Sequence, residues 1–455
     1  MPLIGVGVGL NRQRYGQFQN GYSSRVIADG GTIESLECVA AASSLLQSAS
    51  LLLIPSGYKA GVAYAELPAT GNGDLTWSRN SVANRTQSDG TIAQVAANVP
   101  RLSYMYGSCP ALLLEPQRTN SLRNSTMQGA STSPSTLPTN WAIAGGGLTG
   151  TVVGVGTENG LPYIDVQFSG TAISTSSQIR FESLTQIVAS NGQTWTSSFW
   201  IKEIAAPTPA NSLANTMQER DSLGVNLATT TQTITISSTL TRNIFTRTNT
   251  NASTARINNA INAFVTIGNA YDFTIRIAAP QLELGAYATT WIDTTNAAAT
   301  RLADSFTRNN IYTNGLISAS GGTWYVELRN NVAYTRDASN NTVWIGDTNN
   351  GTSNSLVLRS DTTTSAIRLQ IIKFIAGTQV SLFSTTTSTV KIAIKWNGTT
   401  ADVFVNGVKQ VSATAFTTTI MEFLAASGQQ VPTFIQTMAL YPTPLSDADC
   451  TALTT

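Results

Sequence analysis

The chain has 455 residues, room for about two to three domains. Charged residues make up only 11% of it, against about 25% in typical soluble proteins, and the formal net charge is +1 with no basic block, so nucleic-acid binding by phosphate neutralisation has no footprint. Histidine is absent, which removes the commonest general base, the usual triad base and the commonest metal ligand.

Threonine, serine, asparagine and glycine fill the gap left by charge. They favour pleated strands and turns over long helices, so the expected class is mostly β. In chain order, MPLIGVGVGLNRQRYG places glycines where a signal peptide needs a solid apolar core, and no positive leading region precedes them. Gly30 to Gln47 (GGTIESLECVAAASSLLQ) is the best helical stretch, with Asp29 or Thr32 as cap and Glu34 and Glu37 in its early turns. Its apolar face (Ile33, Leu36, Ala40) is thin and has no basic side. Docking on a protein partner is therefore expected, and no membrane contact. The longest apolar run, Leu51 to Ile54, is far too short to span a bilayer.

From Leu51 the pattern is short strands between turn residues, with a hairpin signal at Asp89-Gly90. CPALLLEPQRTNSLRNS (Cys109 to Ser125) stops an apolar run at Glu115-Pro116 and continues with two arginines. An active site, a ligand pocket and a joint are all conceivable there. No base stands beside it, and Pro116 enforces an extended exit, so a joint is favoured, with Glu115, Arg118 and Asn120 bonding nearby backbone. Asn124 to Asn140 is a Ser/Thr/Pro/Asn-rich linker or long surface loop.

Beyond it, TWTSSFWIK puts Trp195, Ser197, Phe199 and Ile201 on one face. FTIRIAAPQLELG buries Phe273, Ile275 and Ile277, then ends at Pro280. KIAIKWNGTTADVFVNGVKQV is a three-stranded meander in which Ile392, Ile394 and Trp396 alternate and Asn406-Gly407 makes a type I′ turn. A break near Thr294 to Phe306 divides two regions, each large enough for a jelly-roll sandwich.

Cys38, Cys109 and Cys450 are far apart and odd in number. No zinc spacing or disulfide is expected, and three free thiols suit a reducing compartment. Trp195, Trp200, Trp324, Trp344 and Trp396 are weighed between sugar stacking and core packing. Trp344, beside the loop at Asp347, Asn349 and Asn350, is the preferred ligand candidate. The DTNNG loop hints at calcium but lacks the D-x-[DN]-x-[DN]-G spacing, so neither metal nor cofactor is expected. Glu115, Glu283 and Glu327 form no close acid pair in sequence, so a hydrolase is the alternative reading and no enzyme the favoured one.

GSCPALLLEPQRTNSL resembles a segment of many tailed-phage virion proteins that precedes a glycan-binding-type sandwich. LTWSRNSVANRTQSDGTIAQVAANVPRLSY is similar to the Arg-rich hairpin, Asp-Gly turn and Pro-Arg-Leu run of the same family. APQLELGAYATTWIDTTNAAATRLAD resembles the closing strand of that sandwich. KIAIKWNGTTADVFVNGVKQV and MALYPTPLSDADCTALT are similar to a second, concanavalin-A-like or laminin-G-like sandwich. SSRVIADGGTIESLECV resembles an N-terminal segment of structural proteins in phages of gut Bacteroides-type hosts.

The resemblance implies a head or tail fibre in the virion, assembled in the bacterial cytoplasm. It implies an N-terminus bound to capsid or tail proteins, host-surface glycan as ligand and a homotrimeric state. The expected layout is an anchor at 1–50, a β-hairpin connector at 51–123, a carbohydrate-binding-like sandwich at 124–296 and a concanavalin A-like sandwich at 297–455. Trp396 would be a core position of the lectin-like strand pair.

Overall fold

The computed structural model describes residues 21–330, 340–349, 351–361, 368–387, 389–417, 420–427 and 432–455. The chain is mostly β and its sheets are antiparallel, as the composition implied. It divides into two compact units. One comprises Met1–Gly90, Gln94–Gln117 and Leu302–Thr455; the other comprises Thr91–Ala93 and Arg118–Arg301.

In the first unit, two sheets enclose one core. Strands Leu75–Ser78 and Ser305–Asn309 lie side by side in one sheet, continued by Phe423–Ser427, Asn340–Gly346, Ser355–Asp361 and Arg368–Ile375. The other is centred on Gly322–Asn330 and Thr433–Tyr441, flanked by Thr389–Trp396 on one side and Ala111–Leu114 on the other. Trp77, Phe306, Ile345 and Leu358 from the first sheet meet Trp324, Ile392, Ile394 and Trp396 from the second. Period-two alternation, plain in the sequence at 392–396, is what aims these residues inward.

Several expectations are corrected here. The segment expected to be a connector supplies Leu51–Leu53 and Ala111–Leu114 to one sheet and Leu75–Ser78 to the other, so it is part of this sandwich. The helix expected at Ile33 to Gln47, within the stretch from Gly30, is broken. Thr32–Ile33 pairs as a strand with Gly57–Tyr58, and two short helices follow, Leu36–Ala40 and Ser44–Gln47. Strand pairing takes the first residues out of the helix, and Ser43 caps the second piece through its hydroxyl. This segment buries Cys38, Val39 and Ala42 against Tyr325, Phe404 and Tyr441 of the chain's own sheet, while Ile33 and Leu36 of the expected apolar face pack on Tyr22, Val26 and Tyr64. The same packing overturns the expectation of three free thiols. Cys38 and Cys109 are disulfide-bonded with Cα atoms 5.7 Å apart, and Cys450 is free and buried. A separation of 71 residues hides that proximity from the sequence.

The second unit is a two-sheet sandwich. One sheet runs Thr149–Glu158, Leu161–Thr171, Ala270–Leu284, Thr194–Ala205, Thr241–Thr248. The other runs Ala142–Gly145, Ser176–Arg180, Arg256–Phe264, Ser212–Arg220, Asn226–Ile234. Val166, Phe199, Phe273 and Ile275 of the first pack on Ile179, Met217, Ile257 and Ile261 of the second. Strand Ala270–Leu284 does not end at Pro280. It carries the proline at a bulge, where Ala279 takes φ 47°, because a bulge spares proline the ladder bond it cannot donate. At the ends of the unit, Arg118–Asn120 pairs with Ala299–Arg301.

Candidate functional site

The outward face of the second sheet in the 118–301 unit is built from three neighbouring strands. In Ser176–Arg180, Ser212–Arg220 and Arg256–Phe264, the residues that alternate with the core positions are polar or small. Gln178, Asn262 and Ala214 form one row across the strands, and Arg180, Ala260 and Thr216 the next. Asn258 stands opposite Gln218, and Arg256 opposite Arg220. Phe264 closes the face at the far end, between Ser176 and Ser212, and is 40% exposed. At roughly 3.3 Å per residue, Arg256 and Phe264 are about 26 Å apart along the strand.

The face is recessed. Thr216, Asn258 and Ala260 have no exposed surface, while Gln178 and Arg180 are half-buried. Ala214 and Ala260 are buried yet belong to no apolar core cluster.

Two Gln-x-Arg pairs flank the central strand. Arg180 Nε donates to Gln178 Oε1 at 3.2 Å, and an Arg220 terminal nitrogen donates to Gln218 Oε1 at 2.5 Å. Arg220 also donates to the Gly224 carbonyl at 2.7 Å. Burial lowers the proton affinity of Arg180, and burial followed by the charge of Arg180 lowers that of Arg220. Arg220 Nε, Thr216 Oγ1, Asn258 Oδ1 and Asn262 Oδ1 are buried with unfilled hydrogen-bonding capacity. Each such group costs on the order of 1–3 kcal/mol. The face thus offers donors, acceptors and one open aromatic ring, with no nucleophile or acid–base pair among them.

The residues singled out from sequence go elsewhere. Trp344 is 7% exposed and packs with Val357, Ile372 and Phe374, so its ring is not an open platform. Gly351 closes over it at φ 63°; a Cβ there would come within 2.6 Å of the indole. Asp347 accepts bonds from the Asn354 amide at 3.0 Å, its side chain at 2.7 Å and the Ser353 hydroxyl at 3.1 Å. That occupies its oxygens in holding the loop. Asn349 is exposed, and Asn350 lies outside the described residues.

The carboxylate of Glu115 joins a buried charge network. It accepts from Arg101 at 2.6 Å, Arg101 also pairs with Asp304, and Asp304 pairs with Arg79 at 3.0 Å, all four fully buried or nearly so. Pro116 follows directly. Arg118 stacks on Tyr287 at 4.7 Å. Asn120 does bond backbone, donating to Pro280 and Ile292 carbonyls and accepting from the Leu122 and Leu282 amides.

Trp195, Trp324 and Trp396 are core residues, and Trp200 is half-buried under Arg242 at 4.5 Å. Asn406 and Gly407 have φ of 47° and 80°, as the type I′ turn requires. Glu283 is buried and bonded to Gln281 and Thr289. Glu327 lies in the other unit, beside Tyr325. The sequence did carry a signal for the polar face: the spacing Gln-x-Arg occurs at 178–180 and again at 218–220, each time around a core residue or beside one.

No protein-family model and no curated protein matches the chain. Among solved structures, the bacteriophage CBA120 tailspike protein 4 enzymatically active domain aligns at 16% identity over 36% of this chain and 21% of its own, with a TM-score of 0.25. This chain therefore spans about a fifth of that protein. The CBM40 module of Ruminococcus gnavus IT-sialidase, bound to α2,3-sialyllactose, aligns at 15% identity over 30% of this chain and 84% of its own, TM-score 0.23. The tandem CBM22 modules of Paenibacillus barcinonensis Xyn10C align at 12% identity over 72% of this chain and 99% of theirs, TM-score 0.24. These likenesses are too slight to assign a function.

Proposed function

We propose that the protein binds glycan without cleaving it, that the polar face of the 118–301 sandwich is the binding surface, and that the chain serves as a head or tail fibre of a tailed-phage particle. The observation that carries the binding reading is the face itself. Two amides and a hydroxyl with unfilled bonding capacity stand on two neighbouring strands, beside the half-buried Gln178 and Arg180 of a third, and the exposed ring of Phe264 ends the face. Sugars present hydroxyls to such groups and apolar ring faces to aromatics. The virion role rests on the sequence resemblance at Cys109–Ser125 and the flanking runs. In that role the N-terminus would attach to capsid or tail proteins, and a homotrimer would present three faces at once, turning weak affinity into avidity of roughly 10²-fold or more.

Affinity measurement on host-surface polysaccharide tests the binding reading. Phe264→Ala should weaken binding roughly fivefold, about 1 kcal/mol, without changing the melting temperature. Release of reducing ends, abolished by a single carboxylate substitution, would replace the binding reading with a hydrolase. Light scattering at three times the chain mass is expected for the trimer; a stable monomer at micromolar concentration would refute it.

A further inference from the structure

We infer that this face takes an anionic glycan, whose charge is a carboxylate or a sulfate or phosphate ester held by Arg180 and Arg220. The inference rests on the glycan-binding reading and adds the charge of the ligand. It starts from the distribution of countercharge. Elsewhere in the same unit three arginines have carboxylate partners: Arg123 with Glu182 at 2.6 Å, Arg247 with Glu219, and Arg276 with Asp165 at 2.7 Å and Glu158 at 2.6 Å. Arg180, Arg220 and Arg256, all on the recessed face, form no ion pair among the described residues. Asp221 follows Arg220 directly, yet its carboxylate accepts from the Leu223 and Val225 amides.

The positive groups are also positioned. Each of Arg180 and Arg220 is tied at one nitrogen to the glutamine two residues before it, which fixes the side chain and leaves donors over. For Arg180 both terminal nitrogens are left, the forked pair that matches the two oxygens of a carboxylate or ester. Arg220 is 5% exposed, and its Nε has no acceptor. Like charges held in a desolvated site repel each other. Burial and then the charge of Arg180 lower the proton affinity of Arg220, and an anion beside them would offset that repulsion. Asn262, on the strand beside Arg180 and opposite Gln178, would take a hydroxyl of the same sugar.

The full-length chain should be titrated against immobilised bacterial capsular polysaccharides of known composition: neutral members, uronate-bearing members, and members bearing sulfate or phosphate esters. Binding is expected among the acidic members and is expected to weaken with salt. Carbodiimide reduction of the carboxyls, or removal of the esters, should abolish it and so tell the two sources apart. Arg180→Gln, at a half-buried position that tolerates change, should lower acidic binding about tenfold or more, and Arg220→Gln likewise if its melting curve shows it folded. Lys391→Gln, a charge-matched change in the other unit, should leave it unchanged. Binding confined to neutral members, or acidic binding indifferent to Arg180→Gln, overturns the inference while the glycan reading stands. Binding to no member overturns the glycan reading itself.

Discussion

Glu66 is fully buried with both oxygens occupied: Oε2 accepts from the Ile54 amide at 2.6 Å and Oε1 from the Ser56 hydroxyl at 2.8 Å. Burial pushes its carboxyl up from 4.5 to about 8, against those hydrogen bonds and the charge of Arg25. The folded chain therefore holds this proton more tightly than the unfolded chain. The stability it contributes is complete below the unfolded value and is lost as pH rises to about 8, with a slope approaching about 1.4 kcal/mol per pH unit. Urea midpoints should fall across that window, and Glu66→Gln, neutral throughout, should flatten the fall; an unaltered slope would show that Glu66 does not cause it. At Glu115 the issue is countercharge. Glu115→Ala leaves two buried arginines against Asp304 alone and should cost roughly 3–5 kcal/mol in urea unfolding. The sequence suggested that Glu115 was structural, but its partners come from 101 and 304, and no local pattern announces contacts of that range.

At the scale of elements, legibility follows how local the cause is. The hairpin at Asn406-Gly407 and the alternation at 392–396 are set by neighbours in sequence, and both were readable. The helix at Ile33 to Gln47 was not, because Ile33 is claimed by a strand partner at Gly57 that propensity does not see. The polar face failed to stand out for a different reason. Outward Gln and Arg on a strand usually mean a solvated surface, and only register across three strands shows that they converge without countercharge. The Cys38–Cys109 bond ties the helical segment to the strand Ala111–Leu114 beside it. Closing a loop of this length contributes about 4 kcal/mol by chain entropy. Reductant, or Cys38→Ser with Cys109→Ser, should lower the melting temperature of the first unit by several degrees and leave the second unit's unchanged. Equal melting with and without reductant would argue against the bond.

At the scale of the whole molecule, two apolar cores stand in two units, so calorimetry should resolve two transitions. A fragment of residues 118–301 should fold alone, with the near-ultraviolet signal of packed tryptophans, and retain the glycan binding of the full chain; a fragment that stays unfolded would mean the unit depends on the rest. Its ends explain why independence is expected. Arg118 pairs with Arg301 and Asn120 with Ala299, so, apart from the short excursion Thr91–Ala93, the chain enters and leaves this sandwich through one short antiparallel ladder. A segment whose two junctions are neighbours can be cut out and replaced by recombination without reopening the sheets that receive it. If the chain serves in a phage particle, as proposed, the 118–301 sandwich would be an exchangeable cassette, and related chains should keep the receiving framework while differing wholesale between those two junctions.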